Sequence, residues 1–192
     1  MKKSVLFFVV LFFVSYAAFA QKTHTKPKNM EYSFGLGIMN ENDIGNFGMV
    51  VTNDLKIYLL PRFGVNPRLN YFQSLGVSNS GLDGDYSSYS ALFVECGLFY
   101  SIVKNKKIEI TLNAGPSGIF GNSTYLEMEL YENGNITEKR FNNEYIRTLG
   151  YYTDLEFTWG KRKIINTLAI KANGMYIYPE FLGIVYKIGF RF

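Results

Sequence analysis

The chain is almost without cysteine and histidine, the residue types behind most thiolate and imidazole chemistry. Its single cysteine, Cys96, allows no internal disulfide and no thiolate metal cluster. Its single histidine, His24, lies close to the start of the chain. Histidine is the usual general acid or base near neutral pH, so its scarcity argues against an enzyme. We therefore predict no catalytic residue, no metal site and no cofactor.

The chain also lacks a transmembrane helix, because no apolar run after the first twenty residues reaches the roughly 18 residues required. Residues 1–20 instead have the layout of a cleaved signal peptide: Lys2 and Lys3, an apolar core over Val5–Val14, and Ala18-Phe19-Ala20. We expect export, with cleavage before Gln21 and a flexible periplasmic leader over residues 21–30. The alternative is an N-terminal membrane anchor, for which the apolar run is short.

Basic residues only slightly outnumber acidic residues in the chain. The formal net charge of +4 falls to +2 once Lys2 and Lys3 leave with the signal peptide. The composition therefore does not indicate nucleic-acid binding. Aromatic residues, in contrast, make up 17% of the chain. Either a core or surrounding lipid must account for them.

Strict alternation of residue type is the strongest pattern in the sequence. In Leu182–Phe192 the residues of one parity are all apolar or aromatic, whereas the other parity holds Gly183, Val185, Lys187, Gly189 and Arg191. Successive side chains of a strand point to opposite faces, so this segment predicts a strand with one apolar face. The same pattern recurs and predicts eight strands, over residues 31–39, 47–51, 57–71, 89–103, 108–120, 149–159, 164–176 and 182–192.

The predicted connections alternate in length along the chain. A tight turn is expected at Thr52-Asn53-Asp54, and short basic turns at Lys104–Lys106 and Lys161–Arg162. Longer connections are predicted at Ser74–Ser88 and Gly121–Glu144. An antiparallel meander places the short set and the long set at opposite ends, which is the layout of an up-and-down outer-membrane β-barrel.

Charged side chains concentrate on the parity opposite to the apolar one. The apolar parity of the strand middles carries only Arg147 and the polar Asn166 as exceptions. In a lipid-embedded barrel the charged parity faces the lumen, where buried charges must be paired. We predict a lumen charge network of Arg62, Arg68, Glu95, Glu109, Asp154, Glu156, Lys171, Lys187 and Arg191, with Lys56 on the same parity.

The alternative is a soluble, lipocalin-like barrel with the apolar set inside. Two features favour lipid. The apolar parity is too bulky for an eight-stranded interior, which has room only for close-packed side chains. Aromatic residues of that parity also gather near strand ends, as in interfacial belts. The predicted aromatic belt is Tyr71, Tyr100, Trp159, Tyr176 and Phe190.

With these features the chain resembles the small porin-family outer-membrane β-barrels of Gram-negative bacteria. The resemblance rests on the exported start, the eight alternating strands, Lys187 and Arg191 opposite the final aromatics, and Phe192. It implies an all-β, eight-stranded antiparallel transmembrane barrel over residues 31–192, without a periplasmic domain. It also implies that Phe192 and its strand are the assembly signal for the barrel-insertion machinery.

The segment Gly121–Glu144 is the best candidate for a functional surface loop. Its own alternation around Tyr125–Tyr131 leads to Asn133-Gly134, a strong hairpin signal. A standing hairpin could pair its edges with a partner strand. Alternatively, the segment only extends the barrel wall. In the first case one aromatic and acidic face is expected, formed by Tyr125, Glu127, Glu129 and Tyr131.

Three functions remain open from the sequence. The first is a monomeric structural or interaction protein, in which the loops serve adhesion or surface protection by binding an extracellular protein or surface ligand. The second is narrow, porin-like transport of small solutes. The third and weakest is a lipid-modifying envelope enzyme, because a rim site would lack histidine.

Overall fold

A computed structural model describes residues 30–42, 46–78, 88–105, 107–132, 135–161, 163–175 and 179–192, except for the side chains of 76–78, 125–132, 135–140 and 161. Eight strands account for most of these residues: β1 Met30–Glu41, β2 Asn46–Leu60, β3 Phe63–Ser78, β4 Ser88–Lys104, β5 Ile108–Glu132, β6 Asn135–Lys161, β7 Ile164–Gly174 and β8 Phe181–Arg191. No helix in the described residues is long and apolar enough to cross a membrane.

The strands form a closed barrel in chain order. Every neighbouring pair is antiparallel, and β8 pairs back with β1 from Glu31↔Arg191 to Glu41↔Phe181. Closure leaves no free edge along the barrel wall, which a lipid environment requires. The predicted eight-stranded antiparallel barrel is confirmed.

Side chains alternate between a polar lumen and an apolar outer surface. Along β4, Glu95 and Phe99 are buried, whereas Val94 and Leu98 are about half-exposed, at 48% and 53%. The other strands repeat this pattern with large apolar residues outside, including Leu36, Leu112, Ile170 and Ile184. This is the arrangement of a transmembrane barrel. The alternative of a soluble barrel with an apolar interior is wrong.

The connection between β2 and β3 lies at Pro61-Arg62, eight to nine residues after Asn53, which is the centre of the predicted turn. Thr52–Asp54 belong to β2, and the predicted single strand over residues 57–71 is two strands. Proline lacks the N–H that a ladder needs, which suits Pro61 to a turn. A two-residue turn by itself reverses the parity, because the paired residues Leu60 and Phe63 that flank it share a face. The register shift between Tyr58 and Leu60 reverses the parity again, so the alternation of residue types continues through the connection.

The barrel has two unlike ends. The turn end carries the connections after β2, β4 and β6, together with Met30 and Phe192, whose main chains exchange two hydrogen bonds. The hairpin end carries the β5–β6 connection. There β5 pairs with β4 only as far as Thr124, and β6 pairs with β7 only from Tyr151 onwards. Beyond those points, as far as the described residues go, β5 and β6 pair only with each other, up to Glu132↔Asn135.

Candidate functional site: a filled lumen and a protruding hairpin

The middle of the lumen is organised around one arginine. The Arg68 side chain is 1% exposed, and its guanidinium lies 2.5 Å from Asp154 Oδ2, 3.2 Å from Asp54 Oδ1 and 3.4 Å from Glu156 Oε1. Nε also donates to Asn66 Oδ1 at 2.7 Å. The carboxylates come from β2 and β6, so this one residue of β3 connects strands across the barrel.

Three lysines complete the central network. Lys187 binds Asp54 and Glu156, the latter at 2.5 Å, and Lys56 also binds Glu156. Lys171 Nζ lies 2.7 Å and 3.0 Å from the two oxygens of Glu95, which accepts a further bond from Asn173. The network thus sets four cations against four carboxylates: Lys56, Arg68, Lys171 and Lys187 against Asp54, Glu95, Asp154 and Glu156. Balanced charge is what allows so many ions to be buried.

A second cluster lies in the lumen at the turn end. The Tyr58 hydroxyl is 3.0 Å from Glu31 and 2.9 Å from Glu109, and Arg191 contacts the same two carboxylates. Ser101 and Lys104 also bind Glu109, at 2.5 Å and 3.5 Å. Two carboxylates therefore meet two cations here, so this level of the lumen is also neutral.

An apolar plug closes the lumen towards the hairpin end. The Phe181 ring lies 5.1 Å from Phe93, 5.5 Å from Tyr89 and 5.7 Å from Phe72, centroid to centroid. Further buried residues complete the plug: Met39, Val50, Ala91, Ile119, Ala169 and Val185. Ile146 of β6 packs against it from the hairpin side. In the described part of the barrel, aromatic rings thus occupy one level of the lumen and paired ions the levels below.

The structure brings most of the predicted lumen residues together. Arg68, Glu95, Glu109, Asp154, Glu156, Lys171 and Lys187 are buried, and Arg191 is partly buried. The prediction for Arg62 was wrong, because this residue lies exposed in the β2–β3 turn rather than in the lumen. Sequence reasoning missed Asp54, Glu31, Tyr58 and the plug. The sequence pattern predicts a turn at Asp54, whereas the structure places Asp54 in β2, on the same inward parity as Lys56.

Four of the five predicted belt residues face outwards. Tyr100, Trp159 and Phe190 lie towards the turn end, and Tyr71 lies towards the hairpin end. The fifth, Tyr176, lies outside the described residues. The polar exception Asn166 is satisfied on the outer face, because Tyr186 donates a hydrogen bond to its Oδ1 at 2.7 Å. Phe192 is exposed, and its amide donates to the Met30 carbonyl at 2.8 Å.

The predicted loop Gly121–Glu144 is a direct continuation of β5 and β6. Asn133 and Gly134 lie outside the described residues, between the paired Glu132 and Asn135. The side chains of Tyr125, Glu127, Glu129 and Tyr131 lie outside those that the structure describes, so the prediction that they share one face stays a prediction. The main-chain register of the hairpin shifts between Leu126 and Met128 and again between Leu130 and Tyr131.

Two exposed residues with apolar surface lie on the outer face of β6 where it leaves the barrel, with Arg147 between them. Tyr145 is 67% exposed and Leu149 82%, and both lie before the first β7 pair at Tyr151. Within the described part of the chain, the main-chain edge of segment 135–150 that faces away from β5 has no paired strand. An uncovered edge strand is a template for pairing with another chain.

The fold agrees with solved outer-membrane barrels at very low sequence identity. Neisserial surface protein A superposes with a TM-score of 0.56 at 7% identity, over 86% of this chain and 96% of that one. Ail, the attachment invasion locus protein of Yersinia pestis, superposes with a TM-score of 0.55 at 10% identity, over 87% of this chain and 100% of that one. The N-terminal barrel domain of Pseudomonas aeruginosa OprF superposes with a TM-score of 0.53 at 8% identity, over 88% of this chain and 100% of that one. No protein-family model and no curated protein sequence matches the chain.

These likenesses concern the fold alone, because the identities are so low. Together with the lipid-facing outer surface, they confirm the predicted class: the chain has the fold of the small, eight-stranded outer-membrane β-barrels.

Proposed function

We propose that this chain is an outer-membrane protein that presents the β5–β6 hairpin outside the cell for adhesion or surface protection. The observation that carries the proposal is the unequal length of the strands. β6 begins at Asn135, whereas its pairing with β7 begins only at Tyr151. A structure that served only to close a barrel would not need this extension, so the hairpin is where a separate role can reside.

The chemistry of the hairpin suits an extended protein segment as partner. Strand addition to a free edge supplies main-chain hydrogen bonds, and side chains of the edge strand supply specificity. Tyr145 is well placed for this, since it is exposed and combines an apolar ring with a hydroxyl. By its name, Ail serves attachment and invasion, which is consistent with such a role for a barrel of this size.

Transport is the weaker alternative, because the plug and the ion network occupy the lumen. Planar-bilayer recording of the purified protein separates the two functions. We expect no current steps above the background of the empty bilayer. Regular steps that scale with salt concentration would support transport instead.

The direct test removes the hairpin and keeps the barrel. Thr124 and Asn143 pair, and their side chains hydrogen-bond at 2.6 Å. Joining them through a two-residue Asn-Gly turn retains every β4 partner of β5. Bacteria that carry equal surface amounts of the wild type or of this trimmed variant are compared for attachment to protein-coated surfaces and for survival in serum.

We expect the trimmed variant to lose both the attachment and the protection that the wild type confers. A point variant tests the part of the β6 edge that the trimmed protein keeps: Tyr145→Lys adds a charge to that edge, and charges on an edge oppose strand addition. Tyr145→Phe is the matched control and should behave like the wild type. If trimmed and wild-type proteins confer equal attachment and equal survival, the hairpin has no such role.

A further inference from the structure

The turn end of the barrel carries a concentration of positive charge that the lumen network does not use. The three short connections contain Arg62, then Lys106 and Lys107, then Arg162 and Lys163, and no acidic residue. Of these, Arg62, Lys107 and Lys163 are described and exposed. We call these three residues the basic rim.

The acidic residues at the turn end of the barrel do not neutralise the basic rim. Glu31 and Glu109 lie at the same end, but both are buried. Each of the two carboxylates binds both Arg191 and Tyr58. Lys104 is also turned inwards, with Nζ 3.7 Å from the centre of the Tyr58 ring. Within the described part of the chain, none of the three rim residues forms an ion pair with a carboxylate.

The main chain of the rim is held in place by hydrogen bonds. The Arg62 carbonyl accepts a bond from Ser101 N at 2.7 Å, which ties the first turn to β4. The Lys163 carbonyl accepts from Arg191 N at 2.9 Å, which ties the third turn to β8. Asn105 Oδ1 accepts from Lys107 N at 2.9 Å and organises the second turn. The three cations are therefore presented from fixed positions around the barrel end.

The level of the rim along the barrel suggests what covers it. Tyr100, Trp159 and Phe190 lie on the outer surface a few residues from the turns, and such aromatic girdles sit at the interface between hydrocarbon and headgroups. Basic residues immediately beyond a girdle are at the level of the headgroups. A ring of separate cations on three turns also matches a flat charged surface better than a small single ligand.

We propose that the basic rim binds anionic phospholipid headgroups in the leaflet at the turn end of the barrel. Each Lys or Arg near an anionic membrane surface contributes a favourable electrostatic term that salt screens. The rim would thereby fix the height and the direction of the barrel in the bilayer. This proposal concerns the end opposite the hairpin and is independent of the proposed adhesion role.

Native mass spectrometry of the folded protein in a neutral detergent tests the proposal. Phosphatidylglycerol, which is anionic, and phosphatidylcholine, which is zwitterionic, are titrated separately, and lipid-bound states are counted. The test variant is Arg62→Gln/Lys107→Gln/Lys163→Gln. The matched control, Lys139→Gln/Arg140→Gln/Arg147→Gln, removes the same charge from the hairpin and the adjoining part of β6. Heat-modifiable gel migration establishes that all three proteins are folded.

We expect the wild type and the control to prefer phosphatidylglycerol, and the rim variant to bind it about tenfold or more weakly at low salt. About 0.5 M salt should bring the wild type close to the rim variant, because the Debye length is then only a few ångströms. Equal phosphatidylglycerol binding by the wild type and the rim variant would overturn the proposal. So would an equal loss in the control, since net charge alone would then explain the binding.

Discussion

Replacing Arg68 by methionine removes the cation that the central network shares among its carboxylates. The buried lumen then holds Asp54, Glu95, Asp154 and Glu156 against only the three lysines. Removal of one partner of a buried ion pair costs about 3–5 kcal/mol, because the other partner stays buried without compensation. We expect Arg68→Met to lower the free energy of unfolding by that amount.

A second substitution separates loss of charge balance from loss of packing. Asp154 is the carboxylate closest to the Arg68 guanidinium, at 2.5 Å. Asp154→Asn in the Arg68→Met background restores equal numbers of cations and carboxylates. The double variant should therefore lose about 2 kcal/mol less than the sum of the two single losses, a coupling within the range for residues in one network.

The assay is urea unfolding of the barrel in lipid vesicles, followed by tryptophan fluorescence. Trp159 is the only tryptophan and lies on the outer face, so it reports transfer from lipid to water. Arg147→Met is the matched control, because Arg147 is exposed, and it should change the free energy of unfolding by less than about 0.5 kcal/mol. Unchanged stability of Arg68→Met, or strict additivity in the double variant, would refute the charge-balance reasoning.

Three further predictions concern the outer surface, the plug and the hairpin. Leu98→Arg and Ile170→Asp place a charge on the lipid face, at a cost of about 2–4 kcal/mol for the cation and less for the acid. Both variants should therefore fail to give the heat-modifiable folded band on a gel. The controls Leu98→Val and Ile170→Val should give that band. Phe181→Ala should lower the free energy of unfolding by about 3–5 kcal/mol, because the Phe181 ring packs on three other plug rings. The control Phe120→Ala, on the outer face, should lower it clearly less. Equal losses in the two variants would contradict a packed plug. The variant trimmed between Thr124 and Asn143 should keep the folded band and its heat modifiability, since the barrel pairs remain; loss of that band would make the hairpin structural.

The alternation of residue types was sufficient to predict the barrel and the contents of its two faces. In β8 one parity is wholly apolar or aromatic and the other carries Lys187 and Arg191, so the assignment of faces depends only on the period of two. The same period explains the main error. The two-residue turn at Pro61-Arg62 and the register shift between Tyr58 and Leu60 each reverse the parity, so together they leave it unchanged and the pattern could not show where β2 ends.

Other features were beyond a pattern because they depend on register across the barrel. Asp54 and Arg68 pair in the β2–β3 ladder, and Asp154 reaches Arg68 from β6; neither fact follows from the spacing of these residues in the chain. Phe72, Phe93 and Phe181 share the parity of the charged residues, and only the three-dimensional arrangement gathers them into a plug. The register shift between Leu126 and Met128 likewise lies in a segment whose sequence alternates continuously.

Collision rates of a nitroxide on the native Cys96 test the central claim, which is that lipid covers the apolar face. Cys96 is free and exposed on that face of β4, opposite Pro67 of β3. The labelled protein is placed in vesicles, and its relaxation by molecular oxygen, which concentrates in hydrocarbon, is compared with that by a water-soluble nickel chelate. The account predicts strong relaxation by oxygen and little by nickel. Stronger relaxation by nickel than by oxygen would contradict it, because the apolar face would then meet water.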